Sequence, residues 1–116
     1  MRQEKFGRNG PDVSVIGQGT WYIDRGDRNA AIAALRRGIE LGMTHIDTAE
    51  MYGDAELVIA EAVAGRRDAL FLVSKVLPSN ASRKGDDRGL RAFAEATEDR
   101  SSRLLSPALA RLLSAC

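Results

Sequence analysis

Three short apolar runs, "VSVIGQG" at residues 13–19, "MTHID" at 43–47 and "ALFLVSKVL" at 69–77, are separated by two stretches of helical period. That alternation limits what the chain can fold into more than any other property. The first helical stretch opens at Asp27, whose carboxylate can accept from the free N–H groups of a first turn. It carries Ala30, Ala31, Ala34, Leu35, Gly38 and Ile39 at helical spacing until Gly42 supplies a left-handed stop. The second begins at Asp54, holds Leu57, Val58, Glu61 and Ala62 in register and ends at Gly65. Upstream of both, "KFGRNGPDVSV" reads as a β-hairpin turning on the pair Asn9-Gly10, with Val13 and Val15 leading on towards Gly17 as one strand.

A strand-helix-strand-helix-strand order with short loops implies parallel strands and right-handed crossovers, so the candidates are a doubly wound sheet and a (β/α)8 barrel. A dinucleotide-binding doubly wound sheet wants G-x-G-x-x-G opening a helix, whereas "GQGTWYIDRG" has two glycines and then the bulky Thr20, Trp21 and Tyr22. Gly19, Thr20, Trp21, Asp47 and Lys75 instead fall at or just past the carboxyl ends of successive strands, where a barrel keeps its chemistry. The fold class expected is α/β: the N-terminal portion of a (β/α)8 TIM barrel, roughly three strand-helix units, preceded by a short β-hairpin.

The chain has 116 residues and a formal charge of +1, which gives no electrostatic reason to expect nucleic acid or an anionic membrane as a partner. Its one cysteine is Cys116, so no disulfide framework or zinc cluster is available and no metal site is expected. "MRQEKFGRNG" lacks the apolar region of a signal peptide, and no apolar run nears the ~20 residues of a membrane span. A soluble cytoplasmic protein with no partner protein is the expectation.

The stretch "GMTHIDTAEMYGDAE", residues 42–56, crowds His45, Asp47 and Tyr52 behind an apolar strand. With "VIGQGTWYI" before it and "LFLVSKVLPSNASRKG" after it, this span resembles the aldo-keto reductase superfamily, especially a bacterial branch similar to methylglyoxal reductase. The resemblance covers residues 1–85 and rests on G-x-x-x-I-D-T-A-x-x-Y-G followed by S-K at the end of the third strand. It implies a barrel that binds NADPH over its mouth and reduces a small aldehyde or ketone. Residue by residue, it implies that Tyr52 is the proton donor, Lys75 the cation beside it and Asp47 the anion that fixes the lysine. It further implies that Trp21 is an aromatic wall on the substrate, and that Gly19, Thr20 and Asp47 lie against the cofactor. A phenol is a poor proton donor near neutrality, and a neighbouring ammonium stabilises the phenolate that donation leaves behind, which is why these residue types must converge. His45 shares the face of Asp47 by period two, but the family's catalytic histidine sits in a different strand, so His45 reads as a packed core residue. Glu50 and Asp54 read as loop and cap residues, and Glu56 resembles a position that braces the second helix. No residue is seen to grip a 2′-phosphate.

After Gly85 the resemblance stops. Residues 86–116, beginning "DDRGLRAFAEATEDRSSRLLSPALARLL", form a separate segment next to the reductase-like 1–85. A back-translation that keeps this peptide in frame can be read from its second base as "TIAACERSLKRLKTDRLDCYLLHWRGS". That is the helix and strand the superfamily would place here, including the histidine of its tetrad. A frameshift near the codon of Asp86 accounts for the tail, which is then expected to be disordered, with the chain a truncated, inactive member of its family. The alternative is a non-catalytic fragment that binds a protein partner along its exposed strand edge.

Overall fold

The computed structural model describes residues 1–80 together with residues 91, 93–95 and 97. Strand β1 (Gln3–Lys5) pairs antiparallel with β2 (Asp12–Ser14), Lys5 facing Asp12. The connection is six residues long, 6–11, and is closed by the Phe6 N–H donating to the Pro11 carbonyl at 2.9 Å. This corrects the two-residue turn expected at Asn9-Gly10: that turn would require the N–H of residue 11 to bond back, and Pro11 has none. The left-handed residue of the connection is Gly7, at φ 75°.

The run at 13–19 is likewise two elements rather than one strand. Ser14 ends β2, Val15 and Ile16 are exposed, and β3 (Gly17–Gly19) belongs to a second sheet. Ser14 joins the two: its hydroxyl donates to the Ile16 carbonyl at 2.9 Å and accepts from the His45 N–H at 3.1 Å.

The second sheet has the order β3-β4-β5, with β4 His45–Asp47 and β5 Phe71–Val73, all parallel. Helix α1 (Arg28–Glu40) follows β3 and helix α2 (Ala55–Val63) follows β4. Asp27 caps α1, accepting from the Ala30 N–H at 2.6 Å. At its other end Gly42, at φ 90°, lets the Gly42 and Met43 N–H groups return to the Ile39 and Gly38 carbonyls at 2.9 Å each.

The buried faces match the spacing in part: Ala31, Leu35, Gly38 and Ile39 of α1 and Val58 and Ala62 of α2 face the core as expected, and the others do not. In α1 the buried residues are Ile32, Leu35 and Gly38 while Ala30 and Ala34 are exposed, because alanines on every side blur the period and burial favours the larger side chains. In α2, Val58, Ile59, Ala62 and Val63 are buried, whereas Leu57 and Glu61 face outward, Glu61 pairing with Arg28 at 3.0 Å. Asp54 occupies the N-cap position of α2 without a side-chain capping bond.

The core lies between the sheet and the helices. Ile46 and Leu72, the middle residues of β4 and β5, meet Ile32, Leu35, Val58 and Ile59 there. The alternate strand residues, His45, Asp47, Phe71 and Val73, project to the opposite face and are only part-buried, as expected where, among the described residues, no second wall of strands faces the three. At the amino ends of the strands, Phe6 of the hairpin packs on Phe71 at 4.8 Å and His45 meets the same ring edge-on at 5.4 Å.

Within residues 86–116 the described residues are helical, and Phe93 (9% exposed) and Thr97 are buried, Phe93 within the core cluster. Phe93 and Thr97 are one helical turn apart and present a common face, the Thr97 hydroxyl donating to the Phe93 carbonyl at 3.0 Å. The remainder of the expected disordered segment lies outside the described residues. Among the described residues, no helix is long and apolar enough to cross a membrane.

Candidate active site

The carboxyl ends of β3, β4 and β5 carry a polar and aromatic cluster. Parallel pairing sets Gly19 beside Asp47 and Asp47 beside Val73. The ladder continues past the strands, with the Thr48 N–H donating to the Val73 carbonyl at 2.8 Å and the Glu50 N–H to the Lys75 carbonyl at 2.9 Å. This registry brings the Lys75 side chain back over β4, where its ammonium donates to Asp47 Oδ1 at 2.6 Å and to the Thr48 carbonyl at 2.9 Å.

Tyr52 sits in the β4–α2 loop, its backbone turned by a bond from its N–H to the Ala49 carbonyl at 2.9 Å. The Lys75 ammonium is 5.4 Å from the centroid of the Tyr52 ring. The Trp21 indole stacks on Tyr52 at 5.6 Å with 9° between the planes, although Trp21 is 63% exposed. Thr20 is buried and its hydroxyl donates to the Asp47 carbonyl at 2.9 Å, so the side chain braces β3 against β4 and offers only backbone to anything above it. At Gly19 a Cβ would meet no atom within 4 Å, so the backbone there borders open space.

The structure therefore gathers Asp47, Tyr52, Lys75, Trp21, Thr20 and Gly19 at one end of the sheet. His45 lies at the other end of β4, against Phe71, away from this cluster. Glu56 accepts from the Ser74 hydroxyl at 2.7 Å and so ties α2 to the chain leaving β5. Glu50, read from sequence as a plain loop residue, accepts from the Leu77 N–H at 2.8 Å and from Asn80 Nδ2 at 2.6 Å, anchoring the segment beyond Lys75. Sequence reasoning also passed over Tyr22, Asp24 and Arg25 beside Trp21; the aromatic pair Trp21-Tyr22 was the one visible signal. A separate open hollow of about 510 Å³ is lined by Asn29, Ile32, Arg36 and Glu61, and none of Asp47, Tyr52 or Lys75 borders it. Arg36 there bonds the Glu61 and Ala62 carbonyls at the end of α2, which is a structural use. Thr48 Oγ1 is buried with no hydrogen-bond partner among the described residues.

Parallel strands alternating with helices, with a lysine-aspartate-tyrosine cluster at the strands' carboxyl ends, define an α/β protein of the (β/α)8 barrel class, of which the described residues form a part without closure. The Aldo/keto reductase family profile matches residues 15–103, and the chain belongs to that family. The methylglyoxal reductase YeaE of Escherichia coli is 55% identical over 85 residues, an alignment covering 68% of this chain and 30% of that protein. An aldo-keto reductase from Klebsiella pneumoniae solved with NADPH superimposes with a TM-score of 0.72 at 40% identity, covering 85% of this chain and 37% of that one. The thermostable aldo-keto reductase Tm1743 gives a TM-score of 0.76 at 34% identity, covering 85% and 39%. The chain thus spans well under half the length of these relatives, and the family match continues past residue 85.

Proposed function

We propose that this chain carries the proton-donating part of an NADPH-dependent reductase site for a small aldehyde or ketone, acting in the cytoplasm without a partner protein. The observation that carries the reading is the position of the Lys75 ammonium, 2.6 Å from Asp47 Oδ1 and 5.4 Å from the Tyr52 ring centroid. The backbone at Gly19 is open to close approach, since no atom beyond its chain neighbours lies within 4 Å of where a Cβ would stand, and this fits a nicotinamide nucleotide. Gly19, Thr20 and Asp47 would border the nucleotide. NADPH, when bound, supplies a hydride to the carbonyl carbon.

The chain's own part is the proton. Tyr52 donates its phenolic hydrogen to the carbonyl oxygen as negative charge develops there, and the Lys75 ammonium stabilises the phenolate that remains. Asp47 holds that ammonium in place, and the Thr48 carbonyl takes a second of its hydrogens, so the charge is fixed in orientation before reaction. Trp21 stacks on one face of Tyr52 and so supplies an aromatic surface beside the proton donor.

The same reading treats residues 1–85 as the reductase-derived unit and residues 86–116 as an out-of-frame translation, supported by the second-base reading of the tail. Sequencing the gene through codons 84 to 90 and assaying both frames tests it. The 116-residue chain should give no NADPH oxidation with methylglyoxal, and the frame-restored product should give turnover. A shifted frame without the reductase continuation, or turnover by the chain as translated, would sink this assignment.

A further inference from the structure

We propose that Asp24 is a positioning residue that holds Trp21 against Tyr52 by strapping the β3–α1 loop to the start of α2. The proposal rests on the reading that Trp21 and Tyr52 line the site, and it concerns how an indole that is 63% exposed keeps a stacked orientation. An exposed side chain of that size would ordinarily sample several rotamers.

The loop is pinned at two points. At its start the buried Thr20 hydroxyl donates to the Asp47 carbonyl at 2.9 Å. Further along, Asp24 Oδ2 accepts from the Asp54 N–H at 3.2 Å, in the loop that carries Tyr52. Gly53 makes room for this contact, since a Cβ there would collide with the Asp24 carboxylate, and its φ of 59° is one a side chain rarely adopts. The chain between the two pins folds into successive tight turns, with the Ile23 N–H bonded to the Thr20 carbonyl at 3.2 Å and the Arg25 N–H to the Tyr22 carbonyl at 3.0 Å.

Tyr22 bears the conformational cost of that compact path. It is the non-glycine residue with positive φ among those described, at 70°, a conformation that persists only where its surroundings impose it. Its ring lies 5.3 Å from Trp21, and the Arg25 guanidinium sits 3.7 Å above it. Arg25, Tyr22, Trp21, Tyr52 and Lys75 thus form a continuous run of contacts with a cation at each end, Trp21 stacked on Tyr52 and tilted by 43° to Tyr22. The strap links the two loops that contribute its aromatic members. Releasing Asp24 should free Trp21 from Tyr52 while leaving the core untouched.

The chain offers a clean readout, because its one tryptophan and both of its tyrosines are in this run of contacts. Near-ultraviolet circular dichroism and acrylamide quenching of indole fluorescence, measured on the full chain without nucleotide or substrate, therefore report on it directly. Asp24→Ala should lose about half of the near-ultraviolet signal and raise the quenching constant about twofold, with an unchanged far-ultraviolet spectrum. Asp24→Asn, whose amide oxygen can still accept from the Asp54 N–H, should resemble the parent. If Asp24→Ala loses its far-ultraviolet signal, Gly53→Ala, which removes no hydrogen-bonding group, carries the same expectation. Parent-like near-ultraviolet spectra in the folded variants, or an Asp24→Asn spectrum matching Asp24→Ala, would overturn the proposal. These spectra contain no ligand, so they are independent of the reductase reading, which stands or falls separately on NADPH binding and turnover.

Discussion

Lys75 and Asp47, from the ends of neighbouring parallel strands, form an ion pair of 2.6 Å at the rim of the sheet while each side chain stays about half exposed. In such an exposed setting the attraction is screened and contributes on the order of 0–1 kcal/mol to stability. The pair's use is therefore orientation: it directs one ammonium towards the Tyr52 ring. Asp47→Ala should lower the stability of the chain by no more than about 1 kcal/mol in urea unfolding. A loss of several kcal/mol would show the pair to be a structural element instead.

The core should respond quite differently. Ile46 is 1% exposed and Ile59 is fully buried, so truncating either to alanine should cost about 2–5 kcal/mol, enough to unfold much of a small domain. Leu57→Ala, on the outward face of α2, should change stability by less than about 0.5 kcal/mol. Denaturant midpoints compare the three directly, and a costly Leu57→Ala would restore the helix face that the spacing alone suggested.

The segment after Gly85 has its own test. Phe93 belongs to the core cluster, so Phe93→Ala should destabilise the chain by about 3–5 kcal/mol. A variant as stable as the parent would show that Phe93 contributes nothing to the core, whichever frame the segment is read from.

Much of this was legible because it depends on local rules. Asp27 and Gly42 bound α1 through a capping carboxylate and a left-handed glycine, and both act over a few residues. The meeting of Asp47 and Lys75 was legible through their positions at strand ends, since parallel register carries neighbouring carboxyl ends to one side, whereas the place of Tyr52 beside them followed from the family resemblance. What escaped was set by partners distant in sequence. The helix faces were misjudged because Ala30, Ala34 and Leu57 are apolar yet look away from the sheet, a choice made by packing. The turn at Asn9-Gly10 failed on the missing N–H of Pro11. The Asp24 contact with Gly53 and Asp54 joins residues about thirty apart, and no local pattern announces it.

The central claim, that Tyr52 donates the proton in a site oriented by Lys75 and Asp47, is tested most directly by NADPH oxidation with methylglyoxal in the frame-restored enzyme. Tyr52→Phe should lower kcat by about 100-fold or more while leaving nucleotide binding near that of the parent, because only the phenolic hydrogen is removed. Lys75→Met should be nearly as damaging, since the phenolate would lose its neighbouring charge. A Tyr52→Phe enzyme with parental turnover would contradict the account, whatever the geometry of the mouth.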